Sequence, residues 1–117
     1  MGATVLIVDD HPTFRKFARR LLEQAGFCVV GEASDGASAI AAVHRLRPQA
    51  VLLDVLLPDR SGFEVAATLA REDDPPSVVL TSSRSEWDLG ASLRHAPACG
   101  FIPKASFTVD SFTELVR

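Results

Sequence analysis

Val5-Leu6-Ile7-Val8-Asp9-Asp10-His11-Pro12 decides the architecture, because four apolar residues run without a break into two carboxylates and a proline. A strand with no polar face must be covered on both sides, as strands are in parallel sheets flanked by helices. The residues that follow keep helical spacing. Phe14, Phe17, Ala18, Leu21 and Leu22 recur at three and four residues, Pro12 suits a first turn, and Gly26 supplies a stop. A buried strand, an acidic turn and an amphipathic helix make the opening of a βαβ unit.

The same alternation repeats outward from this stretch. Cys28 to Ala33 reads as a second, less apolar strand suited to a sheet edge. Asp35 is placed to cap a helix with Ala37, Ile40, Ala41 and Val43 on its apolar face, ending before Pro48. Val51-Leu52-Leu53 is a third strand running straight into Asp54, followed by a helix from about Gly62 to Arg71 and a turn at Asp73-Asp74-Pro75-Pro76. Val78-Val79-Leu80 and Gly100-Phe101-Ile102 supply the fourth and fifth strands. Ser85 to His95 is a weaker helix, and Asp110 to Arg117 a final one. Five strand–helix alternations predict an α/β fold: a five-stranded parallel sheet with helices on both faces and right-handed crossovers.

The 117 residues suit one domain, 1–117, with one core. Twelve Lys and Arg against fifteen Asp and Glu give a formal charge of −3, which lacks the electrostatic footprint of a nucleic-acid-binding surface. No apolar run is long enough to cross a bilayer, and the first residues lack the basic start of a signal peptide, so a cytoplasmic setting is expected. Cys28 and Cys99 have no metal-ligand spacing and read as two buried apolar thiols.

In a doubly wound sheet, ligands sit at the carboxyl ends of the strands. The polar residues expected there are Asp9 and Asp10, Asp54, Thr81 and Ser82, and Lys104. Three converging carboxylates repel one another, by roughly 4 kcal/mol per pair at about 4 Å and an effective dielectric of 20. Such a cluster raises its pKa values or binds a cation. Oxygen donors without a thiolate–imidazole set favour Mg²⁺. Lys104 adds a compact positive charge, Thr81 or Ser82 a hydroxyl, and Asp54 a carboxylate able to attack phosphorus.

These segments, together with Leu53-Asp54-Val55-Leu56-Leu57-Pro58 and Gly62, Val79-Leu80-Thr81-Ser82 and Gly100-Phe101-Ile102-Pro103-Lys104, resemble the receiver domain of two-component response regulators. The resemblance runs from about Val5 to Arg117 and implies a flavodoxin-like sheet in the order 2-1-3-4-5. It implies Asp54 as phosphoacceptor and a Mg²⁺ site of Asp54 with Asp10 as a direct ligand, Asp9 acting through water and the Leu56 carbonyl. Lys104 is implied as phosphoryl-binding lysine, Thr81 as switch hydroxyl and Phe101 as switch aromatic. The opening Asp9 to Arg15 is similar to NarL/FixJ-type transcriptional regulators. Implied partners are a sensor histidine kinase or phosphotransfer protein, a second copy in a homodimer, and DNA only through an output domain outside this chain.

Two departures qualify the carry-over. Lys104-Ala105 replaces the family's frequent Lys-Pro, so no cis bond is expected there. The stretch around His95-Ala96-Pro97-Ala98 is one residue longer than usual, which keeps Ser82 as the alternative switch hydroxyl. An aspartyl phosphohydrolase of the haloacid-dehalogenase type would need a second acid at position 56, where Leu56 stands, so a turnover enzyme is not expected. A flavin or nucleotide module would need a Gly-rich loop in place of Asp9-Asp10. A stand-alone or phosphorylation-independent receiver is the remaining alternative. Arg15, Lys16, Arg19 and Arg20 form a basic cluster, read either as a solvated face or as a docking surface for an acidic partner. His11 reads as a surface loop residue, and Trp87 as either a core residue or an interface anchor.

Overall fold

Side-chain alternation along the strands divides the core into two layers before any helix is considered. The computed structural model describes residues 2–84 and 86–116, apart from the side chains of Glu86 and Trp87. The strands are β1 (Thr4–Val8), β2 (Cys28–Ala33), β3 (Ala50–Asp54), β4 (Ser77–Ser82) and β5 (Gly100–Pro103). They pair in parallel as β2-β1-β3-β4-β5, the expected order. Val5, Ile7, Leu52 and Val79 face one side, and Leu6, Val8, Val51, Leu53, Val78 and Leu80 the other. Burying each such side chain stabilises the fold by about 1.5–3 kcal/mol, which is why these runs tolerate no polar residue.

Two helices cover the first side: α1 (Pro12–Gln24) through Ala18 and Leu22, and α5 (Val109–Val116) through Phe112. The second side packs against α2 (Gly36–Leu46), α3 (Gly62–Leu69) and α4 (Glu86–His95). Pro12 stands in the first turn of α1, and Gly26 follows its end at φ 98°, where a side chain would be strained. Asp35 caps α2 by accepting from the Ser38 N–H at 2.8 Å, as its position predicts. Among the described residues no helix is long and apolar enough to cross a membrane, and no peptide bond is cis.

Several expectations need correction. α2 buries Gly36, Ala39, Ala42 and Val43, leaving Ala37 and Ala41 exposed. Alanines at 37, 39, 41 and 42 give almost no hydropathy contrast, so the phase of the helix is set by its cap and its neighbours. α3 ends at Leu69, two residues before Arg71. Phe17 is 48% exposed although it keeps helical spacing; its ring sits at the rim, 6.2 Å from the Phe14 ring. Cys28 and Cys99 are both exposed, not buried, because they lie at the mouths of the two edge strands where no helix covers them. The terminal residues assigned from sequence to the last two helices, Ser85 and Arg117, lie outside the described residues, as does the side chain of Trp87. Within α4 the backbone leaves helical geometry at Gly90, with φ 58° and ψ −137°.

Candidate functional site

The carboxyl ends of β1, β3, β4 and β5 stand in register, so the residues that follow share one rim. Val8 pairs with Leu53, Asp54 with Thr81, and Ser82 with Pro103. Asp9 and Asp10 therefore leave β1 beside Asp54, and Lys104 leaves β5 toward the same point. Asp9, Asp10, His11 and Asp54 each place a ligand atom within 4.8 Å of the others. Alternation puts Asp54 and Thr81 on the α1–α5 side of the sheet, with Leu52 and Val79, and puts Ser82 on the other side with Leu80.

Asp9 is fully buried and Asp54 is 3% exposed, so both carboxylates need compensation inside the protein. Lys104 supplies it to both: Nζ lies 2.7 Å from Asp9 Oδ2 and 3.1 Å from Asp54 Oδ2. Asp54 Oδ1 accepts from the Leu56 N–H at 3.2 Å, and Asp9 Oδ1 from the His11 N–H at 2.8 Å. Burial, with Asp9 second, pushes the Asp54 carboxyl above its ordinary range, against the opposing pull of the Leu56 N–H and Lys104. Burial acts to lower the Lys104 ammonium, but the bond to Asp9 and the charges of Asp54 and Asp9 outweigh it and hold the group above its usual range.

Thr81 is completely buried, and its Oγ1 has no hydrogen-bond partner among the described residues. The Ser82 hydroxyl is already engaged, accepting from the Arg84 N–H at 3.0 Å. Phe101 is half-buried on the α4 side, lining a cavity of about 240 Å³ with Leu80, Leu93 and Ala98. Leu56 lies beside Asp54 through its backbone, while its side chain is 65% exposed. At Gly62 a Cβ would lie 2.2 Å from the Asp54 carbonyl oxygen, so only glycine lets the β3–α3 loop fold back against the acid's own backbone.

Three contributors were undervalued in sequence. His11 is 64% exposed, yet its Nδ1 lies 3.1 Å from Asp9 Oδ1 and 3.2 Å from Asp10 Oδ1. Asp59, in the loop after β3, accepts from the Gly36 and Ala37 N–H groups at 2.8 and 3.0 Å, and the first of these bonds holds its carboxyl below the usual range. Glu32 takes Arg15 and Arg19 at 2.9 and 2.7 Å, and Glu23 lies 3.3 Å from Arg19, so half of the basic cluster on α1 is paired within the fold. Burial acts to raise Glu32, but the bonds from Arg19 and Arg15 prevail and keep it ionised below its ordinary range. Nothing in local spacing signals a partner that lies on another element.

The donor set fits a hard divalent cation. It is dominated by carboxylate oxygens, and Asp10 Oδ1 is buried without a hydrogen bond among the described residues. One ammonium also serves two buried acids, which leaves the cluster short of positive charge.

A doubly wound domain with acids, a lysine and a buried hydroxyl on the carboxyl rim of a 2-1-3-4-5 sheet belongs to the class of α/β modules that bind their ligands at the carboxyl ends of the strands. Residues 5–117 match the response regulator receiver domain, and the chain belongs to that family. It is 36% identical over 114 residues to the transcriptional regulatory protein NarL of Mycobacterium tuberculosis, covering 97% of this chain and 51% of that one. It is 39% identical over 90 residues to a protein-glutamate methylesterase/protein-glutamine glutaminase of Hahella chejuensis, covering 77% of this chain and 26% of that protein. The NarL receiver domain of M. tuberculosis superposes with a TM-score of 0.90 at 33% identity, covering 98% and 96% of the two chains. A LuxR-family response regulator from Aurantimonas gives 0.89 at 27% identity, covering 99% and 86%. The match spans from a quarter to about half of the length of these curated relatives.

Proposed function

We propose that this receiver, acting as one unit over residues 1–117, takes a phosphoryl group on Asp54 from a histidine kinase or phosphotransfer partner in the cytoplasm. The observation that carries this reading is the environment of Asp54. A buried carboxylate is positioned at both oxygens, by the Leu56 N–H and by Lys104, with Asp9 and Asp10 alongside. An Asp54 oxygen forms the bond to phosphorus as the donor's P–N bond breaks and its electron pair leaves on the imidazole nitrogen. Lys104 then faces the charge that arrives on the phosphoryl oxygens.

Asp9, Asp10, Asp54 and the Leu56 carbonyl would hold Mg²⁺. Its charge would offset the repulsion between these acids and an anionic donor. Thr81, buried with an unsatisfied hydroxyl one strand from Asp54, is the group best placed to respond to a new acceptor. Its state would reach Phe101 and the surface of α4, β5 and α5. The match covers only 38–51% of the length of transcriptional regulators such as TcrX and NarL of M. tuberculosis, which supports an output domain acting on transcription, with dimerisation of the receiver as one means of control. The reading involves no turnover of a small substrate.

The test is incubation with acetyl phosphate, with and without Mg²⁺, followed by intact-mass measurement. Wild type should gain one phosphoryl group only with the metal, and Asp54→Asn none. Equal incorporation by Asp54→Asn would move the acceptor elsewhere.

A further inference from the structure

The basic cluster on α1 is usually read as a surface, yet one of its members turns inward to the acidic rim. Arg15 Nη1 donates to the Asp9 carbonyl at 2.6 Å, while its Nε donates to Glu32 at 2.9 Å. Glu32 precedes Ala33, whose carbonyl accepts from the Asp9 N–H at 3.0 Å. The Asp9 backbone is thus held at both of its polar groups, and the two holds are joined through β2. Arg19 fixes the other oxygen of Glu32 at 2.7 Å and reaches the Val29 carbonyl at 3.4 Å, so the acid cannot swing away with Arg15.

The held carbonyl belongs to the peptide that continues into Asp10. Fixing its plane restricts the direction in which the Asp10 side chain leaves the backbone. Only Asp9, Asp10 and His11 separate β1 from α1, so there is no slack elsewhere in the turn to absorb a rotation. The planar fork of an arginine suits the task, because it reaches a carbonyl and a carboxylate at once; an ammonium is a single point.

We propose that Arg15, backed by Glu32, is a positioning residue that holds the Asp9–Asp10 peptide so that the two carboxylates converge. This rests on the reading of the rim as a cation site. It extends that reading to residues that touch neither the cation nor Asp54.

Manganese binding followed by electron paramagnetic resonance, with Mg²⁺ as competitor, tests it alongside amide hydrogen exchange in EDTA. Arg15→Met keeps most of the packing stem and removes every donor. Its Mn²⁺ Kd should rise about tenfold, as for other groups that orient metal ligands. In EDTA, exchange at the Asp9 amide, which donates to the Ala33 carbonyl, should quicken by about the same factor while the amides of β3 keep wild-type rates. Glu32→Gln should raise the Kd less, and should add nothing once Arg15 is Met. If Arg15→Met does not fold, Arg15→Lys carries the test, with a rise of a few fold. Wild-type Kd and wild-type Asp9 exchange in the folded variant overturn the proposal, as do additive effects of the two substitutions. Should wild type itself bind no Mn²⁺, the cation reading falls, and the exchange rates alone decide whether the brace exists.

Discussion

Lys104 Nζ lies closer to Asp9, at 2.7 Å from Oδ2, than to Asp54, at 3.1 Å. The lysine is thus first the counter-ion of the more deeply buried acid, and only second the partner of the proposed acceptor. Removing one member of a buried ion pair leaves the other charge uncompensated, at a cost of about 3–5 kcal/mol. Lys104→Met in EDTA should lose about 3 kcal/mol in urea unfolding, because Asp9 retains its His11 N–H bond. Millimolar Mg²⁺ should restore much of the loss. A variant as stable as wild type in EDTA would show that the lysine is not what compensates Asp9.

Stability should also depend on the charge of Asp54. Burial and Asp9 hold this carboxyl above its ordinary range, so the folded protein binds its proton more tightly than the unfolded chain does. With a raised folded pKa, the stabilising contribution is complete below the ordinary carboxylate range and is lost as pH rises through the folded value. At neutral pH in EDTA the ionised group is a destabilising charge, and Asp54→Asn should unfold at higher urea than wild type. The gap should close as pH falls toward about 4, the range of an unperturbed carboxylate. It should also narrow when saturating Mg²⁺ stabilises wild type. A lower urea midpoint for Asp54→Asn at pH 7 would falsify this account of the acid cluster.

The Thr81 hydroxyl, unsatisfied among the described residues, lets folding be tested apart from the proposed switching. Thr81→Val keeps the shape and removes a buried polar atom that forms no hydrogen bond among the described residues, so stability should hold or rise by up to about 1 kcal/mol. The variant should still accept a phosphoryl group, since Asp54, Asp9, Asp10 and Lys104 remain. A full shift from 1:99 to 99:1 needs about 5.5 kcal/mol, and one hydrogen bond to a charged group is worth about 1.5–3. With Lys104 alone the response should therefore be partial. NMR with beryllofluoride should show reduced shifts around Phe101 in the variant; shifts of wild-type size would pass the switch role to Ser82.

The cysteines give a check on strand order. Cys28 opens β2 and Cys99 precedes β5, at opposite edges of the sheet. Four strand spacings of about 4.8 Å separate them by roughly 19 Å, beyond the ~7 Å Cα limit for a disulfide. Because both are exposed, a thiol reagent should titrate two groups in the native protein without denaturant. A stable intramolecular bridge is incompatible with the sheet described.

Apolar runs and helical spacing are local properties, so element order, the parallel sheet and the placement of acids after β1 and β3 were legible in the chain itself. The Asp35 cap and the Pro12 start were readable for the same reason: each acts within one turn of its own residue. What lay beyond local reach came from pairing between distant segments. The face of α2 was ambiguous because four alanines carry no contrast, and the half-exposure of Phe17 follows from where α1 meets the sheet's rim. Thr81 and Ser82 are adjacent and chemically alike; only the register of β4 against β3 places one beside Asp54 and the other behind it. Arg15 looked like surface charge until β2 brought Glu32 beneath it. Composition determines which residues must be buried, but the partner that compensates a buried charge is chosen by the tertiary fold, because compensation acts through space and not along the chain.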